Sequence, residues 1–310
     1  MDFLEKFTKS ESILDIPSVE VKEYAALVQD LKDQPQRPLM STGYGSLDAI
    51  TGGFQGGELI ILSAPTKQGK TTLAQTISWN MGIQGVGTLW FSYEMSWQEL
   101  TRKFMAMDTQ YLETQTPSIM PILVPIEPFK KTGDLQLDWM REIIKANRHL
   151  VNFIIVDHLH FLLPLKDYKQ NISFLIGGLV REIKQMAIEF DIPILLIAHM
   201  KKFESDVAPD LSAIRDSSFI AQESDYAILM WKIRNKNIQK KTYDDEESED
   251  IYTNKVMVSV ETNRRTGKTG KVKMIFENNY LRDMTDAERA YDRDQKRMEE
   301  IAKKDRIKNL

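Results

Sequence analysis

LIILSAPTKQGKTT, residues 59–72, is the stretch that decides the fold. Leu59 to Leu62 form an apolar strand, a small and turn-prone loop follows, and a helix begins at Lys70. A strand running through such a loop into a helix is the geometry of a phosphate-binding loop. The loop's backbone N–H groups and the positive end of the helix dipole face an anion. Lys70 reaches the outer phosphates and the Thr71 hydroxyl can ligate magnesium. Ala64, Pro65, Thr66, Lys67, Gln68, Gly69 and Thr72 complete the candidate nucleotide cradle. Ala64 stands where the general pattern has its first glycine, yet the strand before, the helix after and the intact Gly69, Lys70, Thr71 and Thr72 run carry the reading.

Outward from this segment, apolar strands are expected at Thr88 to Ser92, Ile122 to Val124, Phe153 to Val156 and Ile194 to Ala198. Helical patterns lie between them at Leu135 to Arg148 and Ile172 to Phe190. Strands alternating with helices of that length predict an α/β fold, a mainly parallel sheet covered on both faces. Beyond Tyr226 to Trp231, the runs Val256 to Val260 and Val272 to Phe276 are joined by turns, which predicts an antiparallel edge. Residues 1–37 read as an N-terminal segment whose helical stripe is Val21, Tyr24, Ala25, Val28 and Leu31. The main α/β domain is expected over 38–283, and 284–310 as a charged helix or tail opened by a Thr285 to Glu288 capping box. The acidic run at 244–250 reads as a solvated loop.

Composition narrows the function classes. The 310 residues carry a net charge of -4 and no cysteine, which excludes disulfides, thiol nucleophiles and cysteine-ligated clusters and argues against wholesale coating of nucleic acid. No apolar run approaches the roughly 18 residues of a membrane span, and the first residues lack the layout of a signal peptide, so a cytoplasmic protein with no membrane partner is expected.

A phosphate loop needs an acidic partner for its metal, and Asp157, directly after Phe153 to Val156, supplies it. Hydrolysis also needs a group that orients or deprotonates water. Glu94 is the best-placed carboxylate, on the expectation that its strand is the nearest neighbour of the loop strand. His199, ending the strand Ile194 to Ala198, is a candidate sensor of the γ-phosphate, whereas His158 and His160 read as strand-end packing residues. Arg102, downstream of Glu94, is grouped with the loop as a nucleotide contact.

Several segments together resemble the motor domain of DnaB-type hexameric replicative helicases, within the RecA-like ATPases. STGYGSLDAITGG at 41–53 is similar to that family's lead-in, FSYEMSWQEL at 91–100 to the segment with its catalytic glutamate, and Ile155 to Asp157 to its metal-binding strand. RDSSFIAQESD at 215–225 is similar to its arginine-to-aspartate segment, with Ser218 where glycine is usual. The resemblance covers roughly 38–280, and the family often has alanine where Ala64 stands. It implies a RecA-like fold, ATP and Mg2+ as cofactors, a homo-oligomer, hexameric in the family, and single-stranded DNA as the track, with a primase or loader as a further partner. It also implies that Arg264, with Arg265 as the competing register, reaches the neighbouring subunit's nucleotide, and that Lys201, Lys202 and Arg215 contact DNA. Thr262 stands where many members carry lysine, and His199 suits phage and organellar members. The N-terminal helix resembles in place the linker that docks on an adjacent subunit. The expected function is an ATP-dependent DNA helicase of replication. The rival is a non-translocating RecA-like ATPase, a recombination filament or a nucleotide-switched scaffold.

Overall fold

The computed structural model describes residues 22–34, 37–108, 122–126, 134–163, 172–201, 208–214, 217–234, 252–278 and 280–308. Lys202, Arg215 and the acidic run at 244–250 lie outside them. The chain divides into two units, Met1–Arg37 and Pro38–Leu310. In the first, the helix Tyr24–Asp33 buries no residue, and Tyr24, Leu27 and Leu31 are 82%, 51% and 72% exposed on one stripe. Val21, the expected start of that stripe, is outside the described residues.

In the second unit the described residues form one sheet of nine strands: β1 Leu59–Ala64, β2 Thr88–Ser92, β3 Ile122–Leu123, β4 Phe153–Asp157, β5 Ile194–His199, β6 Tyr226–Arg234, β7 Tyr252–Asn263, β8 Gly270–Glu277 and β9 Tyr280–Asp283. Their spatial order is β3-β2-β4-β5-β1-β6-β7-β8-β9. β3 through β6 in that order are parallel, and β7, β8 and β9 continue the sheet antiparallel. The expected parallel sheet with an antiparallel edge is thus present.

Strand alternation builds two cores. Ile60 and Leu62 pack on one face against Leu73 and Ile77 of the helix Lys70–Ile83 and Leu100 and Phe104 of the helix Trp97–Met107. Leu59 and Ile61 point to the other, against Met140 and Ile144 of the helix Asp134–Ala146 and Ile176, Val180 and Ile183 of the helix Ile172–Phe190. Because β1 is wholly buried on both faces, it reads as an unbroken apolar run.

The helix Asp286–Lys308 starts at the expected capping box. Glu288 accepts the Thr285 N–H at 2.8 Å, and its own N–H donates to Thr285 Oγ1 at 3.2 Å. The helix is fastened to the antiparallel strands by Asp292, which takes Lys255 Nζ at 2.9 Å and pairs with Lys273.

Gly53 shows why the lead-in to β1 is glycine-rich. Its φ of +80° is left-handed, and a Cβ there would lie 2.7 Å from the Met40 carbonyl oxygen, against which Phe54 forms a bridge. Gly53→Ala is expected to lower unfolding free energy by at least about 1–2 kcal/mol, read from the denaturant midpoint at unchanged slope.

Candidate active site

The carboxyl edge of the parallel sheet gathers the polar groups. At the end of β1 the chain turns through Lys67 at φ +62° and Gly69 at φ +96° before the helix starts at Lys70. A lysine in left-handed backbone is strained, and such strain concentrates where a loop must hold a ligand. Gln68 anchors the loop: its Oε1 accepts the Lys232 N–H at 2.9 Å and its Nε2 donates to the Tyr252 hydroxyl at 3.3 Å. The Gln68 side chain therefore ties the loop to β6 and β7, which leaves Thr66 and Lys67 as the exposed members of the cradle. Ala64 is fully buried and Pro65 half-buried.

Lys70 and Asp157 are both buried. Thr71 Oγ1 donates to Asp157 Oδ2 at 2.9 Å, while Asp157 Oδ1 is buried with no hydrogen-bond partner among the described residues. Burial is the main cause that lifts the Asp157 carboxyl to about 6. Glu94 adds to the rise, and the Thr71 hydroxyl and Lys70 oppose it. An unsatisfied buried carboxylate oxygen beside a hydroxyl and an ammonium is costly unless a cation or its water completes it. The donor set, all oxygen, fits a hard divalent ion such as magnesium.

Glu94 reaches this edge by a route other than the expected one. β2 is not the neighbour of β1, which lies between β5 and β6. The chain skips two strand positions after the helix Lys70–Ile83, and β4 and β5 fill the gap. Glu94 is brought in because β2 pairs with β4, Ser92 beside Asp157, and the Tyr93 N–H donates to the Asp157 carbonyl at 2.7 Å. The capping box of the next helix uses Ser96 and Glu99, so Glu94 has no capping duty. Its side chain is 45% exposed, with Oε2 3.6 Å from His158 Nε2.

His199 pairs in register with Ala64, the last residue of β1, and so stands beside the loop. Its Nε2 lies 2.8 Å from His158 Nε2. The packing role expected of His158 understates it. That histidine is buried and touches both His199 and Glu94; its one sequence signal is the position directly after Asp157. Arg102 and Lys103 line a cavity of about 250 Å³ with Thr72 and Phe276, next to the first turn of the loop helix. Phe276 has no motif to announce it, because it comes from β8, far along the chain.

The two arginines separate cleanly. Arg265 is bonded inward, its Nε 3.0 Å from Glu58 Oε1 and its terminal nitrogen donating to the Thr51 and Gly53 carbonyls at 2.8 and 2.6 Å. Glu58 is buried, and that burial pushes its carboxyl up against the pull of Arg265. Arg264 is exposed and donates to the Gln222 carbonyl. Asn263 pairs with Tyr226, which pairs with Ile60 near the start of β1, so Arg264 lies at the amino edge of the sheet. Its own phosphate loop is at the other edge, roughly 13 Å of strand away from Ile60 to Ala64.

Lys201 is exposed, and the segment it opens is closed at its base: Met200 bridges Ile214 and the Lys201 N–H donates to the Ala213 carbonyl at 2.8 Å.

This arrangement, a phosphate loop beside a strand-end aspartate on a sheet with helices on both faces, is that of a RecA-like P-loop ATPase domain. The chain belongs to the DnaB-like helicase C-terminal domain family, whose model matches residues 40–284. The replicative DNA helicase DnaB of Treponema pallidum (strain Nichols) is 27% identical over 217 residues, 64% of this chain and 49% of that protein. The replicative DNA helicase DnaB of Geobacillus stearothermophilus is 25% identical over 274 residues, 81% of this chain and 57% of that protein. The chain thus spans about half the length of these curated relatives. A solved DnaB-like replicative helicase, determined with its interactions with primase, superposes with a TM-score of 0.61 at 19% identity, covering 86% of this chain and 68% of that one.

Arg265→Ala is expected to destabilise the fold by about 3 kcal/mol or more, since it strands the buried Glu58 carboxylate. Arg264→Ala should stay within about 0.5 kcal/mol of the parent in the same denaturant titration.

Proposed function

We propose that this chain is the motor of a magnesium- and ATP-dependent replicative DNA helicase, acting in the cytoplasm as a hexameric ring on single-stranded DNA. The observation that carries the ATPase half is the Thr71 to Asp157 contact of 2.9 Å, with the second carboxylate oxygen unpartnered among the described residues. Lys70 and the backbone of 64–69 hold the outer phosphates, and Thr72 and Arg102, which line the cavity bounded by Phe276, flank the remainder of the nucleotide. Thr71 and Asp157 would hold a magnesium ion, which would supply charge neutralisation for the phosphates. Glu94 orients the attacking water and takes its proton. His199, beside Ala64, meets the γ-phosphate.

Arg264 serves a neighbouring subunit. Its place at the amino edge, away from its own loop, supports action in trans, and the inward bonding of Arg265 supports this register. Six copies of Lys201, Lys202 and Arg215 would line a channel for the DNA backbone, positive inside a ring of negative net charge. A primase or loader is a natural partner, as the solved relative was determined with its primase interactions.

Lys70→Ala should lose ATP binding. Glu94→Gln should retain nucleotide and turn over about a hundredfold or more slowly. Mixing Glu94→Gln with Arg264→Ala chains should restore activity at interfaces pairing an intact site with an intact finger. Activity that never exceeds that of either variant alone would mean that sites are not shared.

Lys201→Ala with Lys202→Ala should weaken binding of an oligonucleotide strand and flatten its salt dependence by about 0.7 for each phosphate that the variant no longer neutralises. Wild-type affinity and slope would put the DNA path elsewhere. A forked-substrate assay separates a translocating helicase from a static ATPase.

A further inference from the structure

His158 is only 5% exposed. Its Nδ1 accepts the backbone N–H of His160 at 3.3 Å. A ring nitrogen that accepts an N–H carries no hydrogen of its own, so the imidazole of His158 is neutral. A neutral imidazole carries one hydrogen, and with Nδ1 accepting, that hydrogen sits on Nε2. Two acceptors face it: His199 Nε2 at 2.8 Å and Glu94 Oε2 at 3.6 Å. The shorter contact makes His199 Nε2 the acceptor and assigns the hydrogen of a neutral His199 to Nδ1.

We propose that His158 is a positioning residue that sets the tautomer of His199 and, through the same N–H, couples His199 to Glu94. The inference rests on the ATPase reading above. One hydrogen cannot serve both acceptors at bonding distance. While it is given to His199, Glu94 stays beyond hydrogen-bond reach. When His199 turns its Nδ1–H to a bound phosphate, the His158 N–H passes to the Glu94 carboxylate and orients it toward water. Two acceptors competing for one donor give two discrete arrangements, not a graded response.

A rival use of the same atoms fails on the tautomer. Ligand atoms of Glu94, His158 and His199 lie within 4.8 Å of one another, a set that would suit a borderline cation such as zinc. Such a cation needs the His158 Nε2 lone pair, with the hydrogen on Nδ1 donated to an acceptor. Here Nδ1 faces an N–H donor.

The chain has 4 histidines, few enough to resolve in full-length protein labelled with 15N-histidine. Long-range 1H–15N spectra near pH 7 should show His158 protonated on Nε2 and His199 on Nδ1, and His158→Phe should return His199 to a mixture of tautomers. With MgATP and single-stranded DNA, His158→Phe should lower kcat by about 10- to 100-fold, the usual effect of losing a group that orients a functional side chain. KM for ATP should hold within about twofold, because His158 stands behind His199 and Glu94. His158→Gln, which keeps an N–H donor, should recover most of kcat. His158→Phe combined with His199→Asn should be no worse than His199→Asn alone. An unchanged His199 tautomer, an unchanged kcat or a loss confined to KM in His158→Phe overturns the proposal. Stoichiometric cobalt binding, seen as visible d–d absorption and abolished by His158→Phe, reassigns the three side chains to a metal and overturns it too. A wild-type chain with both tautomers in place that hydrolyses no ATP sinks the ATPase reading, and the positioning role with it.

Discussion

The parallel pairing of β1 between β5 and β6 is the constraint on which the molecule rests. Its register puts Ala64 beside His199 at one end and Ile60 beside Tyr226 at the other. Since successive side chains of a strand point to opposite faces, this one strand supplies both cores, Ile60, Leu62 and Ala64 to one and Leu59 and Ile61 to the other. A one-residue slip of this strand would exchange the two faces and also carry the phosphate loop away from His199. Stability and site geometry therefore depend on the same hydrogen-bond ladder.

The two edges of the sheet treat buried charge in opposite ways. At the amino edge Glu58 is matched by Arg265, and Asp225 takes Lys184 Nζ at 2.6 Å and the Leu59 N–H at 2.7 Å. Lys184 Nζ also donates to the Gly57 carbonyl at 2.7 Å. These groups are satisfied within the chain, which is what a structural network requires. At the carboxyl edge Asp157 keeps an oxygen without a partner among the described residues, Lys70 is buried close by, and a lysine holds a left-handed turn. A buried carboxylate oxygen left unsatisfied beside a strained loop marks the place where a ligand completes the structure.

Much of this was legible in the chain itself. The apolar run from Leu59 to Leu62 followed by Gly69 and Lys70 specifies strand, loop and helix locally, because each step is set by residues adjacent in sequence. Asp157 is legible for the same reason, as an acid directly after a buried strand, and so is the Thr285 to Glu288 cap. The alternation of strands and helices likewise dictates a parallel sheet, since a parallel pair needs a crossover.

Strand order was not legible, and the placement of Glu94 shows the reason. Nothing in a crossover helix says how many strand positions it skips. That is decided by which apolar faces fit together once the whole sheet assembles, so β2 lands beyond β4 and β5, and Glu94 arrives through Asp157. The choice between Arg264 and Arg265 was equally open in sequence, where they are adjacent and chemically identical. Only tertiary packing turns one toward Glu58 and leaves the other exposed. His158 is the sharpest case: the chain places a histidine after Asp157, but its meaning comes from a partner on another strand, 2.8 Å away. Sequence determines which groups are available and the local geometry that carries them, whereas contacts between distant segments exist only once the core has closed and fixed their separation.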